Sequence, residues 1–404
     1  MAGRGVPLSV VAEAEALSPT DDALAADPPR SPGVIQRMVN LGLRTPEDPE
    51  VFNAAGGPSA PDWARSAGGG LRYPVDLARV RDVHYAPEYG AAIDPEGRVF
   101  RATVNGATYV TPTLEALPGV TRAGDVSWFA PPDDVAHWGS ASIFVPWGAR
   151  FNYGHFLLDA LPGLTLLADQ GLLQRFPAIS PRLEPWQREL LDLLLTPGET
   201  LEEVDDPLVW VDDLLFCSTM DHFLHQPNAP INRVRQRILA ALPAAPAAAN
   251  RRVYLSRRSQ GKRRMVNEAA LEAALQDRGF LIAEPERLSV ADQIELFRSA
   301  EVVVAATGAA LANVLFMQPA AKLFEIQPVN YQGIWARALA QYVGAHWHGY
   351  FCPSPIQEKT VHVEGELRPG LDFSWALPLD DFLGFVDRSL DGSEPEACSG
   401  PADA

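Results

Sequence analysis

The sequence predicts an α/β protein whose second half holds a doubly wound domain. Three observations carry that expectation. Between 251 and 328, short apolar runs alternate with segments whose apolar residues recur at helical spacing. The run at 302–306 is apolar on both faces, as expected where helices cover both sides of a parallel sheet. Two features suited to anions then fall at the carboxyl ends of these strands, the edge where ligands of such sheets collect.

In chain order, residues 1–70 are rich in Ala, Pro, Gly and Ser, with DPPRSPG and the SAGGG run at 66–70. Such a segment buries little apolar surface, and it reads as a mobile leader with short helical pieces at 10–17 and 34–43. Residues 71–140 change to β-prone runs broken by turns. Asp94-Pro95-Glu96-Gly97 places Pro early and Gly late, as a hairpin turn does, and Asn105-Gly106 supplies a second turn. This β-rich part shapes one wall of a cleft and shows no chemistry of its own.

Residues 141–245 read as α/β. A strand at 142–145 leads through Trp147 into NYGHFLLDALPGL. Asn152 is a good helix cap, and His155 and Asp159 stand one turn apart on the same face. Pro162 cannot donate to the carbonyl of Leu158, so the helix should bend there. Two readings of the pair stay open: a partly buried His and Asp satisfying each other, or a histidine held in one tautomer as a general base. Helices at 164–173 and 185–195, strands at 208–211 and 214–217, and a helix at 231–242 follow. Asp221, His222 and His225 lack a third clear ligand, so no metal site is expected. Residues 242–250, LPAAPAAAN, read as a linker.

The domain at 246–350 carries the most legible chemistry. Arg257 and Arg258 lie just past its first strand, and Lys262, Arg263 and Arg264 follow in the loop. Five cations in eight positions stand out on a chain with 33 basic against 51 acidic residues. Guanidinium forks match phosphate oxygens, so a phosphorylated ligand would account for them; a solvated basic loop is the plain alternative. Asn267 and Glu268 open a helix, a strand is expected at 280–283, and Ser289 with Asp292 resembles a capping box for the next helix. Thr307 and Gly308 lie where the strand at 302–306 turns into a third helix, whose free N–H groups favour an anion. The strand at 322–326 carries Glu325, placed either to accept ribose hydroxyls or as an ordinary acidic strand end. A helix at 334–343 and a strand through HGYF follow. Residues 351–392 return through an irregular stretch to a helix at 380–390, expected against the first domain, and 393–404 form a polar tail.

The net charge of −18 argues against a nucleic-acid binder. Three distant cysteines, Cys217, Cys352 and Cys398, fit neither a disulfide framework nor a zinc site. No signal-like or membrane-spanning run is evident, so a cytoplasmic protein is expected, with attachment to the inner membrane face through partners left open.

These motifs together resemble glycosyltransferase family 61, which includes bacterial capsule-type, plant and animal enzymes. NYGHFLLDALPGL resembles its N-x-x-H-x-x-x-D/E signature, and RRVYLSRR with RRMVNE resembles its arginine-bearing strand and loop. VVVAATGAALANVLFM is similar to its H-G-A-G-L-T-N turn, and the AAIDPEGRVF hairpin is also familiar from bacterial members. The resemblance covers about 75–350. Thr307 stands where the family has histidine, Ala310 for its second glycine, Ala312 for its threonine, and Gly163 for an arginine after Leu-Pro.

The resemblance implies a GT-B architecture of two Rossmann-like domains facing a cleft, with the β-rich part as a small N-terminal subdomain. It implies an inverting, metal-independent transferase with a nucleotide-sugar cosubstrate, UDP-linked, and no cofactor; no D-x-D motif is present. A glycan or glycolipid acceptor in surface polysaccharide synthesis is the family's habit. Carried onto this chain, His155 and Asp159 are the catalytic pair, with either as base. Asn152, Arg257, Arg258, Arg264, Thr307, Gly308, Ala309, Asn313 and Glu325 form the donor site. A non-catalytic module of the same fold, binding nucleotide or glycan within an assembly complex, is the competing reading. A nicotinamide oxidoreductase lacks its G-x-G-x-x-G.

Overall fold

The computed structural model describes residues 6–7, 9–11, 33–39, 50–53, 74–100, 103, 115–123, 126–144, 147–217, 229–244, 250–353, 360–363, 366–369 and 373–391. The strand–helix alternation of the second half forms as expected. Leu281–Ala283, Arg251–Leu255, Ala300–Ala306, Lys322–Pro328 and His346–Cys352 lie side by side in that order, all parallel. Val302, Val303 and Val304 are buried, so both faces of the central strand are covered. Helices Glu268–Gln276, Val290–Arg298 and Trp335–Val343 cover the sheet. Ser289 Oγ accepts the Asp292 N–H at 3.1 Å, the expected cap.

The first half builds a nine-stranded mixed sheet. Leu201–Glu203, Ala178–Ser180, Ala136–Ile143 and Val209–Cys217 are parallel neighbours, and Pro74–Ala86 continues the sheet antiparallel. The hairpin Ala91–Ile93 to Arg98–Phe100 follows, with the Gly97 N–H donating to the Asp94 carbonyl at 3.0 Å and Gly97 at φ +80°. The expected strands at 208–211 and 214–217 are one strand. Asp212 and Asp213, which seemed to divide them, are paired instead: Arg79 Nε donates to Asp213 at 2.6 Å and Trp210 Nε1 to Asp212 at 2.8 Å.

The largest correction concerns 1–70. Instead of a mobile leader with helical pieces, its described residues are strands. Ser9–Val11 pairs with Arg98–Phe100 and Gly33–Val39 with Pro74–Ala86, both in the first sheet. Glu50–Asn53 pairs with His346–Cys352 in the second. Composition misled because these strands need little core of their own: an existing sheet edge supplies their main-chain partners. The segment therefore straddles both sheets.

The last helix, Leu379–Asp391, also departs from expectation. It lies on the second sheet, where Phe382, Phe385 and Val386 join Tyr254, Phe324 and Tyr350 in one apolar cluster. Arg278 and Asp387 pair at 3.0 Å beside it. The sheet's other face shares a core with the first half, in which Phe156, Leu164 and Leu190 belong to the same cluster as Ile294, Leu311 and Leu315. Exposing such side chains costs about 1.5–3 kcal/mol each, so the two sheets are joined by a common interior. No helix among the described residues is long and apolar enough to cross a membrane. The turn at Asn105-Gly106, the residues Asp221, His222 and His225, most of the 242–250 linker, Cys398 and the tail lie outside the described residues.

Candidate active site

Trp147–Arg150 delivers the chain to Asn152, whose Oδ1 accepts the His155 N–H at 3.2 Å and so starts a helical turn at Tyr153–His155. The next turn, Phe156–Ala160, is π-helical: the Leu161 N–H bonds to the Phe156 carbonyl, five residues back. Pro162, unable to serve the Leu158 carbonyl, follows directly, and π turns of this kind recur at functional sites. His155 Nδ1 lies 2.7 Å from Asp159 Oδ2, as the spacing led one to expect. The side chains differ in access: Asp159 is fully enclosed and His155 is 18 % exposed. A proton on Nδ1, donated to the carboxylate, leaves Nε2 as the basic nitrogen.

This turn meets the second domain directly. Gly154 lies against Ala309: a Cβ there would be 3.4 Å from the Ala309 carbonyl oxygen, an ordinary contact distance. Tyr153 Oη donates to Asn313 Oδ1 at 2.7 Å, and Asn313 Nδ2 reaches Gln293 Oε1 at 3.3 Å. Burial pushes the Tyr153 phenol well above its ordinary range. His155 is thereby placed beside the Thr307–Ala309 turn.

Across that turn, the strand order reverses between Arg251–Leu255 and Ala300–Ala306, because the second strand of the series lies on one side of the first and the third on the other. Such a switch point is the ligand position of doubly wound sheets. Arg257 occupies it. Its N–H donates to Glu268 Oε1 at 2.7 Å, Tyr254 Oη donates to the same oxygen at 2.8 Å, and Arg257 Nη2 reaches the Lys262 carbonyl at 3.3 Å. Burial first, and then the nearby Arg263 charge, hold the Arg257 guanidinium below its ordinary value, while burial raises the Glu268 carboxyl.

Gly308 has a different purpose from the one expected. Its φ of 175° is extended backbone open to any residue, but a Cβ there would collide with Arg257 Nη1. The segment after it, Ala309–Phe316, is a 3₁₀ helix rather than an α-helix, so positive charge at this edge comes chiefly from the arginines.

The remaining expected donor residues divide. Arg258 is exposed and paired with Glu272 at 3.0 Å, and Arg264 is exposed in the short strand Arg264–Met265. Asn152 caps the helix, and Ala309 lies against Gly154. Asn313 and Glu325 are fully buried and Thr307 nearly so, so their side chains support the site from beneath instead of lining it. Trp347 Nε1 donates to Glu325 Oε2 at 2.8 Å. Burial pushes the Glu325 carboxyl up to about 7, against the opposing hydrogen bond of Trp347.

Sequence reasoning passed over Arg263, Asn330 and Tyr331. Arg263, counted only as one of five loop cations, has its guanidinium 4.0 Å from the Tyr331 ring centroid. Arg257 Nε, Arg263 Nε and Asn330 Nδ2 are buried donors with no partner in the structure. Three unsatisfied donors on loops at one sheet edge suit a ligand rich in acceptor oxygens. No group of three metal-ligating side chains occurs among the described residues.

Residues 153–324, from the turn that holds His155 to the strand that holds Glu325, match the family model described as Glycosyltransferase 61. Among curated proteins, none matches the chain.

Proposed function

We propose that the chain, whose residues 153–324 match the family 61 model, is a glycosyltransferase that transfers a sugar from a nucleoside diphosphate sugar, UDP-linked, to a glycan or glycolipid hydroxyl. The observation that carries the donor half is the pair of guanidiniums, Arg257 and Arg263, with unpartnered buried Nε donors at the topological switch point. They offset the charge of a leaving diphosphate without a metal ion.

His155 Nε2 takes the acceptor proton as the acceptor oxygen bonds to the anomeric carbon. The bond from that carbon to the diphosphate breaks on the opposite face, giving inversion, and its electron pair leaves with the nucleotide. Asp159 holds the Nδ1 proton and stabilises the imidazolium that forms. Asp159 is enclosed, which favours His155 as the base. Sugar charge in the transition state has the oxocarbenium character met in glycoside hydrolysis. On the same resemblance we read the two sheets as the halves of a GT-B arrangement and place the reaction in surface polysaccharide synthesis, at the cytoplasmic face of the membrane.

The test is a thermal-shift screen with UDP and UDP-sugars on the parent, Arg257→Ala and His155→Ala, followed by turnover. Ligand at ~100 times its dissociation constant stabilises the fold by about 2.7 kcal/mol, which is readily seen. The shift is expected in the parent and in His155→Ala and absent in Arg257→Ala. Turnover of His155→Ala is expected to fall by about 10²–10⁴. A parent that responds to no nucleotide, or a His155→Ala protein with full turnover, would refute the assignment.

A further inference from the structure

Two neighbouring guanidiniums repel, and the depression of Arg257 by the Arg263 charge reflects this. Something must therefore hold Arg263 in place before any anion arrives. Its backbone is one anchor: Arg263 sits at φ +57°, a left-handed conformation uncommon for a side chain of this size. That conformation is fixed by its neighbours. Trp375 Nε1 donates to the Arg263 carbonyl at 3.0 Å, and the Arg264 N–H bonds to the Phe373 carbonyl at 3.0 Å.

The side-chain anchor is Tyr331. It follows the strand Lys322–Pro328, which flanks Ala300–Ala306 on the side away from Arg251–Leu255. Arg263, from the loop after Arg251–Leu255, therefore meets a residue that follows a strand on the far side of Ala300–Ala306. The Tyr331 loop is itself clamped. Buried Gln327 donates from Nε2 to the Gly333 carbonyl at 2.9 Å and accepts the Gly333 N–H at 3.0 Å, while the Tyr331 N–H bonds to the Pro328 carbonyl at 2.8 Å. A ring face opposite a guanidinium at 4.0 Å attracts the cation through its quadrupole and leaves the guanidinium edge free to bind oxygen.

We propose that Tyr331 is a positioning residue of the donor site: its ring, clamped by Gln327, carries Arg263 beside Arg257 so that both guanidiniums meet one diphosphate. The inference rests on the donor reading above. Tyr331 acts through Arg263, so the ring is required and the hydroxyl is not.

Titration calorimetry on the full chain with UDP and with inorganic pyrophosphate tests this, using parent, Tyr331→Phe, Tyr331→Leu, Arg263→Ala, Arg257→Ala and the Tyr331→Leu/Arg263→Ala double variant. Tyr331→Leu is expected to weaken both ligands by roughly 2- to 30-fold, while Tyr331→Phe stays near parental. In turnover, Tyr331→Leu should raise the donor KM and leave kcat at saturating donor close to parental. In the Arg263→Ala background the Tyr331→Leu change should add nothing. A loss seen for UDP but not for pyrophosphate would mean that Tyr331 reads the base, and a full additive loss in the double variant would mean that it acts apart from Arg263; either overturns the proposal. Parental binding abolished by Arg257→Ala yet unmoved by Tyr331→Leu overturns this inference alone. No binding to the parent overturns the donor reading with it.

Discussion

Glu325→Gln isolates the buried carboxyl beneath the Thr307 turn. Glu325 is fully buried, and its pKa, about 7, lies above the ordinary value of 4.5. Between those two values the folded protein keeps a proton that the unfolded chain has lost. Stability from this group therefore falls as pH rises from about 4.5 to about 7 and stays at its lower level above that. At about 1.4 kcal/mol per pH unit over the interval from about 4.5 to about 7, the full loss is about 3.4 kcal/mol as an upper figure. Glutamine keeps an oxygen for the Trp347 indole N–H and presents an amide where Thr307 Oγ1 can accept, and it does not ionise. Urea unfolding of parent and variant at pH 5 and pH 8 measures the effect, because every other titrating group cancels in the difference. The stability difference should move toward the variant by up to about 2.5 kcal/mol between the two pH values. A difference that is the same at both would refute the argument that Glu325 is held protonated by burial.

Two further substitutions address the contacts that assemble the site. Gly308→Ala should fold normally, since φ 175° suits alanine, but its methyl displaces the Arg257 guanidinium; losing a charge-assisted bond of about 1.5–3 kcal/mol should weaken UDP binding by roughly 10- to 150-fold in calorimetry, and parental affinity would refute the contact. Tyr153→Phe removes the donor to Asn313 and leaves a buried acceptor unpaired, so the unfolding free energy should drop by about 1–3 kcal/mol in urea; an unchanged midpoint would show that the link between the sheets carries no stability.

Local signals explain why some of this was legible in the sequence. Asn152, Ser289 and the Asp94–Gly97 turn act over three or four residues, and each appears as read. The His155–Asp159 pair is also local, one helical turn apart, and the conversion of that turn to a π form did not separate it. Asp212-Asp213 misled because its partners, Arg79 and His137, lie far away in the chain. The same limit hid the N-terminal strands, whose partners lie from about 40 to about 300 residues later in the chain.

The edge that carries Arg257 and Arg263 follows this division and shows what lies beyond sequence pattern. The density of cations suggested an anion site but did not indicate which arginine turns inward. Arg263 and Arg264 are adjacent and chemically identical, and the choice between them depends on a left-handed backbone at Arg263 that Trp375, more than a hundred residues away, holds in place. Gly308 makes the same point in reverse. As a glycine at a strand–helix turn it suggested room for a ligand, whereas the structure fills the missing Cβ with the Arg257 guanidinium. The residue is small so that a cation can reach the switch point, and positive charge there comes from side chains instead of from a helix terminus.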